Sequence, residues 1–438
     1  MQPPFVWRVV RERRWISGLY PIRLFGLLPT LSRWHGIYFR GQFDADHPVN
    51  SVQEQVFNNA RIVLADSVLH GSVQVIDGQI RDISESTGSA SRISSAIDCQ
   101  NDYLIPGLIE LHTDHLETHY SPRPGVRWGM MAAIQSHDAQ IAAAGITTVF
   151  DCLRMGRVED DIFESGEMRR LGTALRQARD QKRLRAEHRL HLRCEVSASD
   201  VLDDFSEFAD DEDVGLVSLM DHAPGQRQFI SLEAYALYHK TKHKMSDEAF
   251  AEYMSQRISA SEKYSLKNRV SLSTLCAERG IAMASHDDAT VEHVEESIRF
   301  GVQLAEFPTT LEAARASHAA GLGVLMGAPN VVRGQSHSGN VAAQTLLENR
   351  CLDILSSDYV PASLLQAAFM LTTVTSQSIS VPSAIATVTR NPARLMKLAD
   401  RGEIVTGLRA DLVRVAHMPE QDPAPVVRGV WRAGERVC

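Results

Sequence analysis

Five short apolar runs in this chain end in a carboxylate, three of them with histidine beside it. They close on His112-Thr-Asp114-His115, on Glu195, on Asp221-His222, on His286-Asp287-Asp288 and on Ser357-Asp358. A single such residue is more often a satisfied structural group than a ligand. Five strand ends of one composition are a different matter, because imidazole nitrogen and carboxylate oxygen are the donors that hold Zn²⁺, Mn²⁺ or Fe²⁺. His112 and Asp114 are two residues apart, so on a strand both point to one face and can share an ion. A divalent metal lowers the pKa of water from about 15.7 towards 7. A carboxylate within hydrogen-bond reach can then take the proton.

Those ends need a scaffold that gathers them. From about residue 106 to 370 short apolar strands alternate with helical stretches: Ile109–His112, Thr147–Phe150, His191–Val196, Gly215–Met220, Ile281–Ala284, Leu304–Phe307, Gly323–Met326 and Leu352–Leu355. Eight strands with helices between them predict an α/β fold, a (β/α)₈ barrel of the TIM type, whose chemistry sits at the C-terminal ends of the strands. Short strand runs at 60–63, 72–76 and 79–83, with an Asp77-Gly78 turn, precede the barrel. Others follow near 402–405, 411–415 and 426–431, so both flanks predict one small composite β domain. The expected division is therefore an N-terminal extension over 1–55, a β domain from 56–105 and 385–438, and a barrel over 106–384. Within the barrel, residues 226–269 interrupt the alternation. They read as a solvated helical hairpin with a capping Ser246, or as a lid carrying Tyr235, Tyr238, His239, Lys240, Lys242, His243 and Lys244 over the mouth.

The 438 residues carry 45 Lys and Arg against 54 Asp and Glu, a net charge of −9 that disfavours a general nucleic-acid binder. The first 55 residues hold seven Arg and four acids, so the rest of the chain stands at −12. That Arg-rich leader contains Trp7, Trp15 and Trp34 and lacks the Ser-richness of a transit segment. It reads as a weakly ordered extension, or as upstream sequence joined by a misassigned start. No apolar run reaches membrane-spanning length. Six scattered cysteines without a CxxC pair suit a reducing cytoplasm. Neither a phosphate-binding GxxxxGK[ST] loop, a GxGxxG turn nor a GxSxG nucleophile elbow occurs.

The segments Pro106-Gly-Leu-Ile-Glu-Leu-His-Thr-Asp114, His115-Leu-Glu117-Thr-His119, Asp151-Cys-Leu-Arg-Met-Gly156, Met220-Asp-His-Ala-Pro-Gly-Gln226 and Gly327-Ala-Pro-Asn-Val-Val-Arg-Gly334 carry a resemblance. The first resembles the leading-strand signature of the amidohydrolase superfamily, with Asp114 where the second histidine of His-x-His usually stands. Together, over about residues 56–438, they resemble the α-D-ribose 1-methylphosphonate 5-triphosphate diphosphatases of the bacterial carbon–phosphorus lyase pathway. The resemblance implies a metal-dependent hydrolase of a phosphorus anhydride that releases pyrophosphate from a small-molecule ribosyl triphosphate. It further implies that His112 and Asp114 bind a first ion, with Glu195 bridging or shared, and that His222 and His286 hold a second. Asp358 would bind a metal and accept the proton of the attacking water. Aspartate in place of histidine makes the site harder, so Zn and Mn both stay open, as does occupancy by one or two ions.

An acidic protein meets a triphosphate only through local cations. Arg123, Arg127, Arg154 and Arg333 each follow a strand end or sit in its loop, and guanidinium forks match phosphate oxygens. His337 is a weaker candidate, and Glu117 and His119 could orient His112 or His115. Two other readings compete: an amidohydrolase acting on a C–N bond, which needs no ring of arginines, and a non-catalytic scaffold barrel, which needs no cluster of self-repelling carboxylates. The sequence points to no nucleic-acid or membrane partner and leaves a homo-oligomer open.

Overall fold

The structure is a computed structural model that describes residues 53–86, 96–157, 163–227, 246–336, 339–374, 379–420 and 422–438. Residues 1–52 of the N-terminal leader, the Tyr, Lys and His residues named between 235 and 244, and His337 lie outside the described residues.

Eight parallel strands follow one another around a barrel in sequence order: β6 (Leu108–Thr113), β7 (Ile146–Met155), β8 (Glu187–Glu195), β9 (Val214–Met220), β10 (Ala282–His286), β11 (Leu304–Glu306), β12 (Gly323–Gly327) and β13 (Ile354–Ser356). Each of the eight runs read from the sequence supplies one. The last strand returns to the first, because Asp358 N donates to His112 O at 3.1 Å and Thr113 pairs in parallel with Asp358. Most of the strands are rich in apolar residues, as strands covered on both faces are, while β8 alternates Leu190, Leu192 and Cys194 with charged residues and histidine. Ile109, Leu111, Phe150, Leu216, Ala284, Leu304, Leu325 and Ile354 form one buried cluster drawn from seven of the eight strands. His112, His286, Glu306 and Asp358 all lie further along those strands or just past their ends. An apolar plug thus fills the lower barrel and polar groups are left to its C-terminal rim.

The intervening segments are helical. α1 (His115–Tyr120) and α2 (Met130–Ala143) follow β6, α3 (Glu167–Asp180) follows β7, and α4 (Val201–Ser206) follows β8. α5 (Asp247–Arg279) follows β9, α6 (Val291–Arg299) follows β10 and α7 (Leu311–Ala319) follows β11. α8 (Ala328–Arg333) and α9 (Ala343–Glu348) follow β12, and α10 (Ser363–Met370) follows β13. Thr290 and Thr310 cap α6 and α7 by accepting from His293 N and Ala313 N. No described helix is long and apolar enough to cross a membrane.

A second, mixed sheet is built from both flanks. β1 (Glu54–Val63), β2 (Val68–Ile76), β3 (Gln79–Glu85), β4 (Ile97–Asp98) and β5 (Tyr103–Pro106) join β14 (Leu412–Met418), β15 (Asp422–Arg432) and β16 (Glu435–Arg436). The order is β16-β15-β14-β5-β1-β2-β3, with β4 beside β1. Asp77 and Gly78 both take positive φ, +50° and +79°, which is the paired left-handed turn that a tight hairpin needs. Phe57 from one flank meets Trp431 from the other edge-on at 4.8 Å, so neither flank buries its aromatic alone.

Candidate active site

Two residues after Leu111, the chain leaves β6 through Thr113, whose hydroxyl donates to Asp358 O at 2.9 Å. That junction sets His112, Asp114 and Asp358 side by side at the barrel rim. They line an open pocket of about 200 Å³ together with Arg193, His222, His286, Asp287, Phe307, Asn330, Arg333 and Tyr359. Asp287 and Asp358 both hold left-handed backbone, φ +59° and +54°, which aspartate tolerates better than most residues. The rim therefore stores a little strain to aim two carboxylates.

The base of the site is organised by Glu306 at the end of β11, a residue the sequence analysis passed over. It is fully buried. Its Oε1 lies 3.2 Å from His112 Nδ1 and its Oε2 lies 3.2 Å from His286 Nδ1 and 2.6 Å from Ser218 Oγ, which donates to it. Burial alone would raise this carboxyl, but His112 and His191 hold it well below the usual carboxylate range. An Nδ1–H given to Glu306 leaves each Nε2 as a lone pair, and both histidines line the pocket. A second buried carboxylate, Glu110, accepts from His112 N and Ser357 N and fastens β6 to β13. Burial pushes Glu110 up to about 7.

Arg193 was likewise missed. On β8 it stands two residues before Glu195, so period-two alternation carried the signal. It donates to both Asp114 oxygens, at 2.5 and 2.6 Å. Burial would raise Asp114, but Arg193 and then His112 outweigh it and keep the carboxyl well below its ordinary value. Asp358 has its carboxyl raised instead, by burial first and by the Asp114 charge as well. One rim carboxylate is thus held ionised while its neighbour is made more basic.

Glu195 and His222 meet at 2.6 Å across β8 and β9. Burial raises Glu195, yet His222 overcomes it and lowers the group to about 2. Their support comes from α5, the insertion read as a hairpin or a lid. Ser246 caps it by accepting from Ala249 N at 3.2 Å, as the sequence predicts. Phe250, Tyr253, Arg257, Ser261, Ser265, Asn268, Leu272 and Cys276 are its buried stripe at helical spacing. The stripe is polar where it passes the strand ends. Arg257 lies 3.6 Å from Glu195, Ser261 and Ser265 donate to Asp221, and Asn268 donates to Val196 O and Ala198 O. The described part of the insertion braces the rim.

The four arginines named from the sequence are spread unequally. Arg333, at the C-terminus of α8, lines the pocket and is exposed. Arg154 pairs with Glu117 at 2.8 Å, and Arg127 pairs with Glu167 at 2.9 Å while lying over Phe163. Arg123 is exposed, and none of these three is among the pocket-lining residues. Glu195 reaches the pocket through His222. Glu117 is drawn to Arg154, and His119 packs edge-on against His115 at 4.8 Å between ring centres.

The donor chemistry suits a divalent cation. His222, His286 and Asp287 offer ligand atoms within 4.8 Å of one another. Asp287 Oδ2 is buried without a hydrogen-bond partner, which is costly for a carboxylate oxygen and natural for a ligand.

A profile of the amidohydrolase family matches residues 139–438. The chain is 47% identical over 382 residues to the α-D-ribose 1-methylphosphonate 5-triphosphate diphosphatase of Escherichia coli K12, covering 87% of this chain and all of that protein. Among solved structures it superposes on N-isopropylammelide isopropylaminohydrolase from Burkholderia multivorans (TM-score 0.58, 16% identity, 87% and 97% coverage). It also superposes on N-acetylglucosamine-6-phosphate deacetylase from Pasteurella multocida (TM-score 0.56, 13% identity, 88% and 99% coverage). These two likenesses concern the fold alone.

Proposed function

This chain belongs to the amidohydrolase family, and we propose that it hydrolyses α-D-ribose 1-methylphosphonate 5-triphosphate to the 5-phosphate and pyrophosphate in phosphonate catabolism. The observation that carries the reading is the 47% identity over the whole length of the diphosphatase relative. It favours anhydride hydrolysis over attack on a C–N bond, and a catalytic over a scaffold role.

His112, Asp114, Glu195, His222, His286 and Asp358 would hold one or two divalent ions, Zn or Mn. Once bound, such ions acidify water and neutralise charge building on phosphoryl oxygens. The remaining work belongs to the side chains. Glu306 orients His112 and His286 and fixes which nitrogen each presents. Arg193 holds Asp114 ionised at neutral pH. Asp358, made more basic by burial and by Asp114, takes the proton of the water that attacks the α phosphorus. The bond from the α phosphorus to the bridging oxygen breaks, so pyrophosphate leaves with that oxygen and the 5-phosphate stays on the ribose. Arg333 meets the polyphosphate from the rim, where guanidinium donors match its oxygens. Arg123, Arg127 and Arg154 belong to the segments after β6 and at the end of β7. Arg127 and Arg154 reach the substrate only by leaving Glu167 and Glu117. A cytoplasmic setting suits six unpaired cysteines, five of them buried.

The test is phosphorus NMR of the metal-loaded chain with the ribosyl triphosphate. Pyrophosphate and the 5-phosphate are expected together, and Asp358→Asn should abolish both while circular dichroism is unchanged. Stepwise orthophosphate release, or full activity in Asp358→Asn, would overturn the reading.

A further inference from the structure

Away from the pocket, α1 and α2 bring three histidines together. His115 and His119 are four residues apart on α1, so they share one face of the helix. His137 faces them from α2, with ring centres 5.7 Å from His115 and 6.0 Å from His119. The ligand nitrogens of the three lie within 4.8 Å of one another. His115 Nδ1, His119 Nε2 and His137 Nδ1 are buried and have no hydrogen-bond partner. None of the three residues lines the pocket.

The surroundings fix what these nitrogens present. His137 Nε2 lies 2.7 Å from Asp151 Oδ1, and Asp151 Oδ2 lies 2.7 Å from His188 Nδ1. Asp151 is fully buried and bridges the two imidazoles. With Nε2–H given to Asp151, the Nδ1 of His137 is a lone pair aimed at the other two rings. A carboxylate behind a histidine is the arrangement that orients a metal-bound imidazole. With the other two imidazoles also unprotonated at these atoms, a water could offer only two protons to three acceptors. A cation with a preference for nitrogen satisfies them all.

We propose that His115, His119 and His137 form a second metal site, distinct from the pocket, that takes a zinc ion with water as the fourth ligand. Three imidazoles and an open position form a familiar tetrahedral zinc set. Zn–N bonds of about 2.0–2.1 Å require nitrogens about 3.3 Å apart, within reach of side-chain rotation from the observed arrangement. His115 and His119 are only half-buried, which leaves the ion an entry path. The ion would tie α1 to α2, and α1 begins one residue after Asp114. The site is thus a staple that fixes the helix following a pocket residue.

The test separates the two sites. The full chain carrying His112→Ala and His286→Ala, expressed with zinc and dialysed, should retain one zinc per chain by mass spectrometry. Adding His119→Ala should remove it. Cobalt in that first variant should show the intense visible bands of a tetrahedral ion, lost with His119→Ala. Should the triple variant not fold, cadmium-113 NMR of the otherwise native chain decides, since a nitrogen-ligated resonance should vanish in His115→Asn alone. Failure of the folded His112/His286 variant to hold zinc, or a cadmium resonance unmoved by His115→Asn, would overturn the proposal.

Discussion

Glu306→Gln is the sharpest perturbation of the pocket, because it keeps the shape of a fully buried side chain and removes only its charge. The carboxylate lies 3.2 Å from each of two imidazole Nδ1 atoms and accepts from Ser218 Oγ at 2.6 Å. An amide supplies one acceptor oxygen and one NH₂. One histidine keeps its donor contact, while the other meets an N–H and must change tautomer or turn. Losing one charge-assisted hydrogen bond of this kind costs about 1.5–3 kcal/mol. At about 1.4 kcal/mol per decade that is roughly a tenfold to hundredfold loss in metal affinity. The assay is competition of the metal-loaded chain against a chelator, with turnover followed as metal is titrated back. The expected result is a right-shifted metal dependence whose maximum is largely recovered at saturation, with the melting temperature little changed. Unaltered metal affinity in a folded Glu306→Gln chain would refute the argument that Glu306 orients the two ligands.

Three further outcomes test other parts of the structure. Arg333→Ala should lower kcat/KM by roughly tenfold to hundredfold, the worth of about 1.5–3 kcal/mol for a charged contact to phosphate. Arg123→Ala should do much less, and steady-state kinetics showing equal losses would remove Arg333 from its place at the rim. Arg193→Met strips Asp114 of its paired cation and should cost about 1–3 kcal/mol of unfolding free energy by urea titration; an unchanged midpoint would refute it. Glu187, at the start of β8, is lowered to about 2: burial opposes ionisation, but Arg401 and Arg409 prevail. A depressed carboxyl stabilises fully above its unfolded value near 4.5 and loses that contribution as pH falls towards 2. Glu187→Gln should therefore destabilise by on the order of 2–3 kcal/mol at pH 7 and progressively less below pH 4.5. Parallel stability curves for the two proteins across that window would contradict it.

The amino-acid sequence by itself carried the barrel, because alternating strands and helices are a local pattern and each apolar run of four or more residues declares itself. It also carried the composite sheet, since Asp77-Gly78 encodes its own turn and both flanks read as strands. The clustering of His112, Asp114, His222, His286 and Asp358 followed from one rule, that strand ends share a rim. What only the tertiary structure decided is which of these groups meet which. Glu306 lies 194 residues from His112, and a lone glutamate in a three-residue strand announces nothing until the barrel brings it beneath two histidines. Arg193 was legible as a charge on the inward face of β8, but its choice of Asp114 depends on how β6 and β7 are set beside it. The four arginines were alike in sequence and unlike in place, because loop side chains answer to whichever carboxylate lies nearest. His115, His119 and His137 show both sides of this: four-residue spacing puts two on one helical face, and only the packing of α2 on α1 supplies the third.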